Sequence, residues 1–256
     1  MTTKEHLLKA LKANVRYDGR EKLQFRPISV EYGISKNAEG SARVKIGGTE
    51  VLAGVKMEVM TPYPDSPDKG NLMVNAELLP MSNPDFEPGP PGQQATEIAR
   101  VVDRAIRESK AIDVKKLCIK EAEKVWGVLI DVVSINDEGN LQDASALAAI
   151  AALKDAKFPE LNKHMEIDYD KPLTKKGLPL AQEPVEVTVI KIGEELFVDP
   201  LLPEEAQVEA RITVGVTEKG ATCALQKGGV APLSVDDLDK MIGIAIDAAA
   251  DIRKAL

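Results

Sequence analysis

Three arginines raise the first chemical question in this chain. Arg100, Arg104 and Arg107 follow one another at spacings of four and three, which on a helix places them on one stripe. A guanidinium fork donates to two oxygens of a phosphate at once, so such a stripe suits an anionic ligand; it is also the pattern of an ordinary solvated face. Residues 98–120 hold seven Lys or Arg against three Asp or Glu, a local +4 in a chain of net charge -8, so the remainder carries -12. A second cluster, Asp199, Glu204 and Glu205, falls at a strand end beside Pro200 and Pro203. It reads either as a metal or acid–base site or as a polar turn. Asp137, Glu138 and Asp143 precede an apolar helix without the oxygen spacing of a calcium loop. They read as a turn and an acidic helix N-terminus.

Other chemistry finds little support. His6 and His164 lie far apart, and neither stands next to a cysteine, so no zinc site is expected. There is no Walker A sequence, no dinucleotide-binding G-x-G-x-x-G and no G-x-S-x-G. Cys118 and Cys223 read as core thiols rather than a disulfide. No metal and no cofactor is therefore expected. The acidic net charge argues against non-specific coating of nucleic acid.

The elements that must position these residues follow from periodicity. A short amphipathic helix is expected over 3–13, with Leu7, Leu8 and Leu11 as its apolar face. Strands are expected at 28–32, 42–46 and 50–59, the last two joined by Gly47-Gly48, with Arg43 and Lys45 on the solvent side. Loops span 61–71 and the Pro-rich 80–92, separated by a strand at 72–78. A helix over 94–110 carries the arginines, and a second short helix is expected within 114–123. Val125 to Ile135 reads as a strand buried on both faces. Leu141 to Ala156, apolar all round, reads as a buried helix. Beyond a polar excursion at 158–184 come strands at 185–192, 195–198, 208–216 and 221–225, then a helix from Val235 begun by a Ser234–Asp237 capping box.

Strands then helices, twice, make an α+β layout of two related lobes. They are expected at 1–160 and 185–256, with a linker or excursion at 161–184. With 256 residues, 44% hydrophobic and only 4% aromatic, the core must be aliphatic. No uncharged apolar run reaches the roughly 18 residues of a membrane helix. The start lacks the apolar stretch of a signal peptide. A cytoplasmic protein without membrane contact is expected.

Five ordered blocks carry a resemblance. They are Arg16-Tyr17-Asp18-Gly19-Arg20, the hairpin from Gly40-Ser41-Ala42 through Gly54-Val55, Phe86 to Gly92, Glu97 to Ser109, and Ile130 to Leu153. Together they resemble the RNase PH family, and within it the non-catalytic RNase PH-like ring subunits of archaeal-type RNA exosomes. The resemblance implies mixed sheets packed with helices in two related lobes, like domain 2 of ribosomal protein S5. It also implies a subunit without catalytic residues of its own. Such a subunit alternates with a catalytic RNase PH-like sister in a hexameric ring, a trimer of heterodimers that carries RNA-binding cap proteins. The ring degrades single-stranded RNA from 3' to 5' by phosphorolysis. Arg100 matches an arginine that contacts RNA in active members, Arg104 and Arg107 extend its stripe, and the loops at 61–71 and 80–92 resemble loops that face a central channel.

Departures from the active pattern matter as much. Active members carry a Gly-Gly-Thr/Ser-Arg-like phosphate-binding stretch where this chain has Gly139-Asn140-Leu141-Gln142-Asp143, with neither Arg nor hydroxyl. Asp143 is expected there to repel phosphate by like charge. Of the two aspartates that active members keep near the second lobe's strand end, Asp199 stands for the first, and the second falls on Glu205 or Ala206. Asp199 and Glu205 are thus a possible remnant acidic site. Two other readings remain open: an autonomous phosphate-dependent exoribonuclease, and a scaffold with no RNA contact.

Overall fold

Alternation of apolar and polar residues builds the first sheet. The computed structural model describes residues 3–256, and Met1 and Thr2, where the expected first lobe begins, lie outside them. In β2 (Gly40–Ile46) Ala42, Val44 and Ile46 are fully buried, while Arg43 and Lys45 point outward to Glu50. The chain turns at Gly47-Gly48 into β3 (Thr49–Met60), and β1 (Ile28–Tyr32) pairs with β2 from the other side. β6 (Lys124–Asn136) pairs antiparallel with β3, and β4 (Asn71–Leu78) joins β6 in parallel as an edge. A parallel pair needs a crossover, which α2 (Gln93–Glu108) supplies.

Two expectations change here. Val114 to Glu123 is not a helix: Val114–Leu117 makes one 3-10 turn, and β5 (Cys118–Lys120) then pairs with β6. A single buried apolar residue, Leu117, anchors the turn, and Ala122 at φ +61° reverses the chain, so there is no second helical turn for a stripe to continue. β6 is buried on both faces only at Val125–Val128, where Trp126 packs on Phe158. Beyond Leu129 it alternates, with Ile130, Val132 and Ser134 buried and Asp131 exposed, so its outer face there is only partly covered.

α3 (Leu141–Asp155) lies between the two sheets, against β2, β3 and β6 on one side and β7 on the other. Twelve of its residues are buried, as its all-round apolarity predicts. Its C-terminal turn comes so close to β2 that a Cβ at Gly40 would collide with the backbone of Ala152 and Ala156. The second sheet is antiparallel in the order β10 (Thr222–Gly228), β9 (Ala210–Val216), β7 (Val185–Ile192) and β8 (Glu195–Val198). α5 (Val235–Arg253) packs on β7 and β9, and its Ser234–Asp237 box is formed.

The excursion after α3 is stitched back at Ile112–Leu180 and Lys157–Gly177. The opening helix, α1 (Thr3–Lys12), buries Leu7 and Leu11 among Ile190, Ile192 and Phe197 of the second lobe. Residues 3–12 thus clamp the far lobe, although they precede the whole first sheet. Leu11→Ala removes a fully buried side chain from this small cluster. It is expected to cost about 2–5 kcal/mol, read as a lower urea midpoint with an unchanged slope.

Candidate functional site

The lobes meet around one carboxylate. Asp199 follows β8 directly, at φ +49°, and is fully buried. Arg26 gives it a forked contact, Nε to Oδ2 at 2.9 Å and Nη2 to Oδ1 at 2.7 Å, and adds its backbone N–H at 2.8 Å. Arg20 Nη1 donates to Oδ2 at 2.7 Å, and Asn140 Nδ2 donates to Oδ1 at 3.0 Å. Burial alone would raise this carboxyl, but the bonds and charge of Arg26, joined by Asn140, hold it below the usual range. Arg16, 2% exposed, pairs with buried Glu204 and donates to the carbonyls of Val198 at 2.6 Å and Asp199 at 2.8 Å.

Glu205 follows on α4 (Leu202–Glu205), a single turn that begins with Leu202 and Pro203. Its Oε1 accepts the backbone N–H of Asn140 at 2.7 Å, immediately before α3. Asn140 sits at φ +62°, and no side chain of its own caps the helix. Asp199 and Glu205 therefore converge on Asn140, one through its amide side chain and one through its backbone. Gly139, at φ +96°, lets this happen: a Cβ there would strike the carbonyl of Pro200. Asp199 has no oxygen left over for substrate or metal, since both accept from Arg or Asn donors.

Asp143 corrects the sequence reading. It is buried in the core, where Thr188 donates to it from Oγ1 at 2.7 Å and from N at 3.1 Å. The negative group at the N-terminus of α3 is Glu205. Burial pushes Asp143 up to about 7, Glu186 up to about 8 and Glu205 up to about 7. Glu186 is 1% exposed, accepts from Gln142 at 2.6 Å and leaves its Oε1 without a partner.

The arginine stripe divides. Arg100 and Arg104 line a groove of about 650 Å³ with Arg211 and Lys227, between α2 and β9–β10. Arg104 donates to Leu225 O at 3.2 Å and Gln226 Oε1 at 3.1 Å, which turns it toward β10. Arg107 leaves the stripe: Asp103 takes it at 2.7 Å and the carbonyl of Leu72 at 3.1 Å, on the β4 side. Four residues of spacing put Asp103 within reach of Arg107, so the local ion pair pulls the third arginine away from the other two. Arg211, which sequence reading missed, pairs with Glu97 at 2.8 Å. It lines both this groove and an adjoining cavity of about 370 Å³ bounded by Asn140 and Glu205. Its signal in sequence was faint, a lone charge in an apolar strand.

Comparison with known proteins places this architecture. The family model described as "3' exoribonuclease family, domain 1" matches residues 24–159, and "3' exoribonuclease family, domain 2" matches 182–248. The chain belongs to this two-domain 3' exoribonuclease family, the RNase PH family. Within it, the chain is 46% identical over 250 residues to "Exosome complex component Rrp42" of Methanosarcina acetivorans, covering 98% of this chain and 91% of that protein. It is 44% identical over 248 residues to the component of the same name from Methanothermobacter thermautotrophicus, covering 96% and 90%. A solved structure described as "archaeoglobus fulgidus exosome with RNA bound to the active site" contains a chain that superposes with a TM-score of 0.91 at 42% identity, covering 98% of this chain and 96% of that one.

The buried carboxyls give a pH dependence with a definite sign. Asp143, Glu186 and Glu205 are raised on folding, so their contribution is complete below the unfolded carboxyl range near about 4. It is lost as pH rises through about 7 to 8. Asp199 is lowered, so its contribution is present above that unfolded range and lost as pH falls below it. Thermal melts should therefore show a maximum on the acidic side of neutrality. Glu186→Gln should melt higher than the parent at pH 8.5 and at the same temperature near pH 4.

Proposed function

We propose that this chain is a non-catalytic ring subunit of an exosome that degrades RNA from 3' to 5'. The full-length likeness to exosome components of the RNase PH family supports the assembly. The single observation that carries the non-catalytic role is Asp199, whose two oxygens are both bound to Arg20, Arg26 and Asn140. A carboxylate locked by two guanidinium groups is held ionised and cannot donate a proton to a leaving oxygen. The subunit pairs with a catalytic RNase PH-like sister as a trimer of heterodimers, and the ring receives RNA from cap proteins in the cytoplasm.

In that ring the chain supplies structure and charge. Arg100 and Arg104 hold the phosphates of single-stranded RNA in the groove between α2 and β10. Backbone contacts of this kind are indifferent to sequence. Arg107, bound to Asp103 and to the carbonyl of Leu72 on the β4 side, takes no part in that groove.

Two measurements test this. The purified chain with inorganic phosphate should release no nucleoside diphosphates from single-stranded RNA, and the co-expressed ring should; phosphorolysis by the chain alone would overturn the reading. The Arg100→Ala, Arg104→Ala double variant, assembled into the ring, should bind RNA more weakly. It should also lower the log–log salt slope by roughly 0.7 for each RNA phosphate that the variant no longer neutralises. An unchanged affinity and slope would make the chain a scaffold without RNA contact.

A further inference from the structure

The groove beside α2 holds one group that sits badly in a phosphate path. Arg100, Arg104, Arg211 and Lys227 line it, yet Glu97 stands among them. Glu97 precedes Arg100 by three residues and Arg104 by seven, so the three share one stripe of the helix. A carboxylate at this place repels the phosphates that the arginines attract. Its presence calls for a chemical reason.

Pairing with Arg211 accounts for one of its oxygens. Arg211 Nη2 donates to Oε2 at 2.8 Å. Oε1 receives a contact from Gln226 Nε2 at 3.4 Å, longer than the usual range of about 2.7–3.2 Å. The other end of that amide is held by Arg104, which donates to Gln226 Oε1 at 3.1 Å. Glu97 Oε1 thus keeps acceptor capacity beside the groove. Arg100, three residues on, is exposed; side chains at this spacing are neighbours, about 5–6 Å apart at Cβ. A phosphate-binding cation and a spare acceptor therefore stand side by side.

A ribonucleotide matches both. Its phosphate accepts from the guanidinium, and its 2'-hydroxyl donates to the carboxylate; deoxyribose has no such donor. An amino group on a base also donates, but it differs between bases, whereas an acceptor next to a backbone cation meets the donor that every ribonucleotide carries. Carboxylates hold the ribose hydroxyl of bound dinucleotides in the same way.

We propose that Glu97 selects RNA over DNA in this groove, its Oε1 accepting a ribose 2'-hydroxyl while Oε2 holds Arg211. The inference rests on the RNA path proposed above. Arg100 and Arg104 supply the affinity that ribose and deoxyribose strands share. Glu97 supplies the difference, because a strand without the donor brings phosphates against an unmatched carboxylate.

The test compares two single-stranded oligonucleotides of one sequence, one of ribose and one of 2'-fluoro-ribose, whose sugar substituent is polar but cannot donate. Binding to the reconstituted ring is measured without inorganic phosphate, so that neither strand is degraded. The parent ring should favour the ribose strand. Glu97→Ala should lower that preference roughly tenfold, the size of one hydrogen bond to a charged group. Glu97→Met, which keeps the length of the side chain without an acceptor, should do the same and decides the matter if the alanine variant does not assemble. Glu97→Gln, which retains an accepting oxygen, should keep most of the preference. A parent ring that binds both strands alike would overturn the inference. So would an unchanged preference in Glu97→Ala and Glu97→Met, including one in which both strands weaken equally because Arg211 has lost its partner. The Arg100→Ala, Arg104→Ala double variant separates this outcome from failure of the path. It should weaken both strands equally; if it weakens neither, the RNA path fails and the role of Glu97 with it.

Discussion

Everything at the junction of the lobes answers to one cost, the burial of Asp199. A carboxylate removed from water loses several kcal/mol of solvation unless it is paired and fully hydrogen-bonded. Asp199 lies just past the end of β8 in the second lobe, so the segment leading into the first sheet must deliver the cations. Arg26, just ahead of β1, and Arg20, in the turn after α1, do so. Both reach across the lobes, and Arg26 continues to the carbonyls of Glu138 and Gly139. One acid thus fixes the entry to β1, the end of β8 and the start of α3 relative to each other. Arg16 with Glu204 repeats the arrangement one turn away. Such pairs contribute modest net stability, but losing one partner strands a buried charge at a cost of about 3–5 kcal/mol. The network therefore specifies how the lobes dock more than how strongly they hold.

That geometry also governs the chemistry available. Asn140 must adopt a left-handed conformation to turn its amide onto Asp199, and Gly139 must carry a positive φ so that the chain can pass Pro200. The same twist points the Asn140 N–H at Glu205. The start of α3 is thus shaped by the ion network, and its anion comes from the protein. Catalytic carboxyls need freedom to exchange a proton; Asp199 is locked and Glu205 is engaged.

Much of this fold was legible because periodicity is a local property. β2 and β3 announce themselves by alternation about Gly47-Gly48, α3 by apolarity on every face, and α5 by its Ser234–Asp237 box. The RNase PH resemblance was legible in five ordered blocks. The short elements were not: Val114–Leu117 and Leu202–Glu205 last one turn each, too short for a stripe to declare itself. The ion network was also hidden. Arg26 and Asp199 stand 173 residues apart, and no spacing rule links them. Asp143 could have been suspected, since the one acid among the alanines and leucines of the buried stretch 141–153 has to face inward, but its partner Thr188 lies on a strand the helix sequence does not describe. The arginine stripe misled for a related reason: helical spacing gives the face but not the competitor, and Asp103 removes Arg107 from it.

The charge balance takes on a different meaning in three dimensions. A net charge of -8 counts Asp143, Glu186 and Glu205 as ionised. All three are buried and raised to about 7 or 8, so near neutrality part of that negative charge is absent. Asp199 and Glu204 are neutralised where they lie by arginines that are themselves buried. What an approaching polyanion meets is set instead by exposed groups, and in the groove beside α2 those are Arg100, Arg104, Arg211 and Lys227 against Glu97. Interactions between exposed charges fade beyond a Debye length of about 8 Å. A phosphate chain placed in the groove would therefore feel mainly the groove's own residues. An acidic net charge is in this way compatible with a basic groove, because several of its acids are buried and the groove beside α2 sets four cations against Glu97.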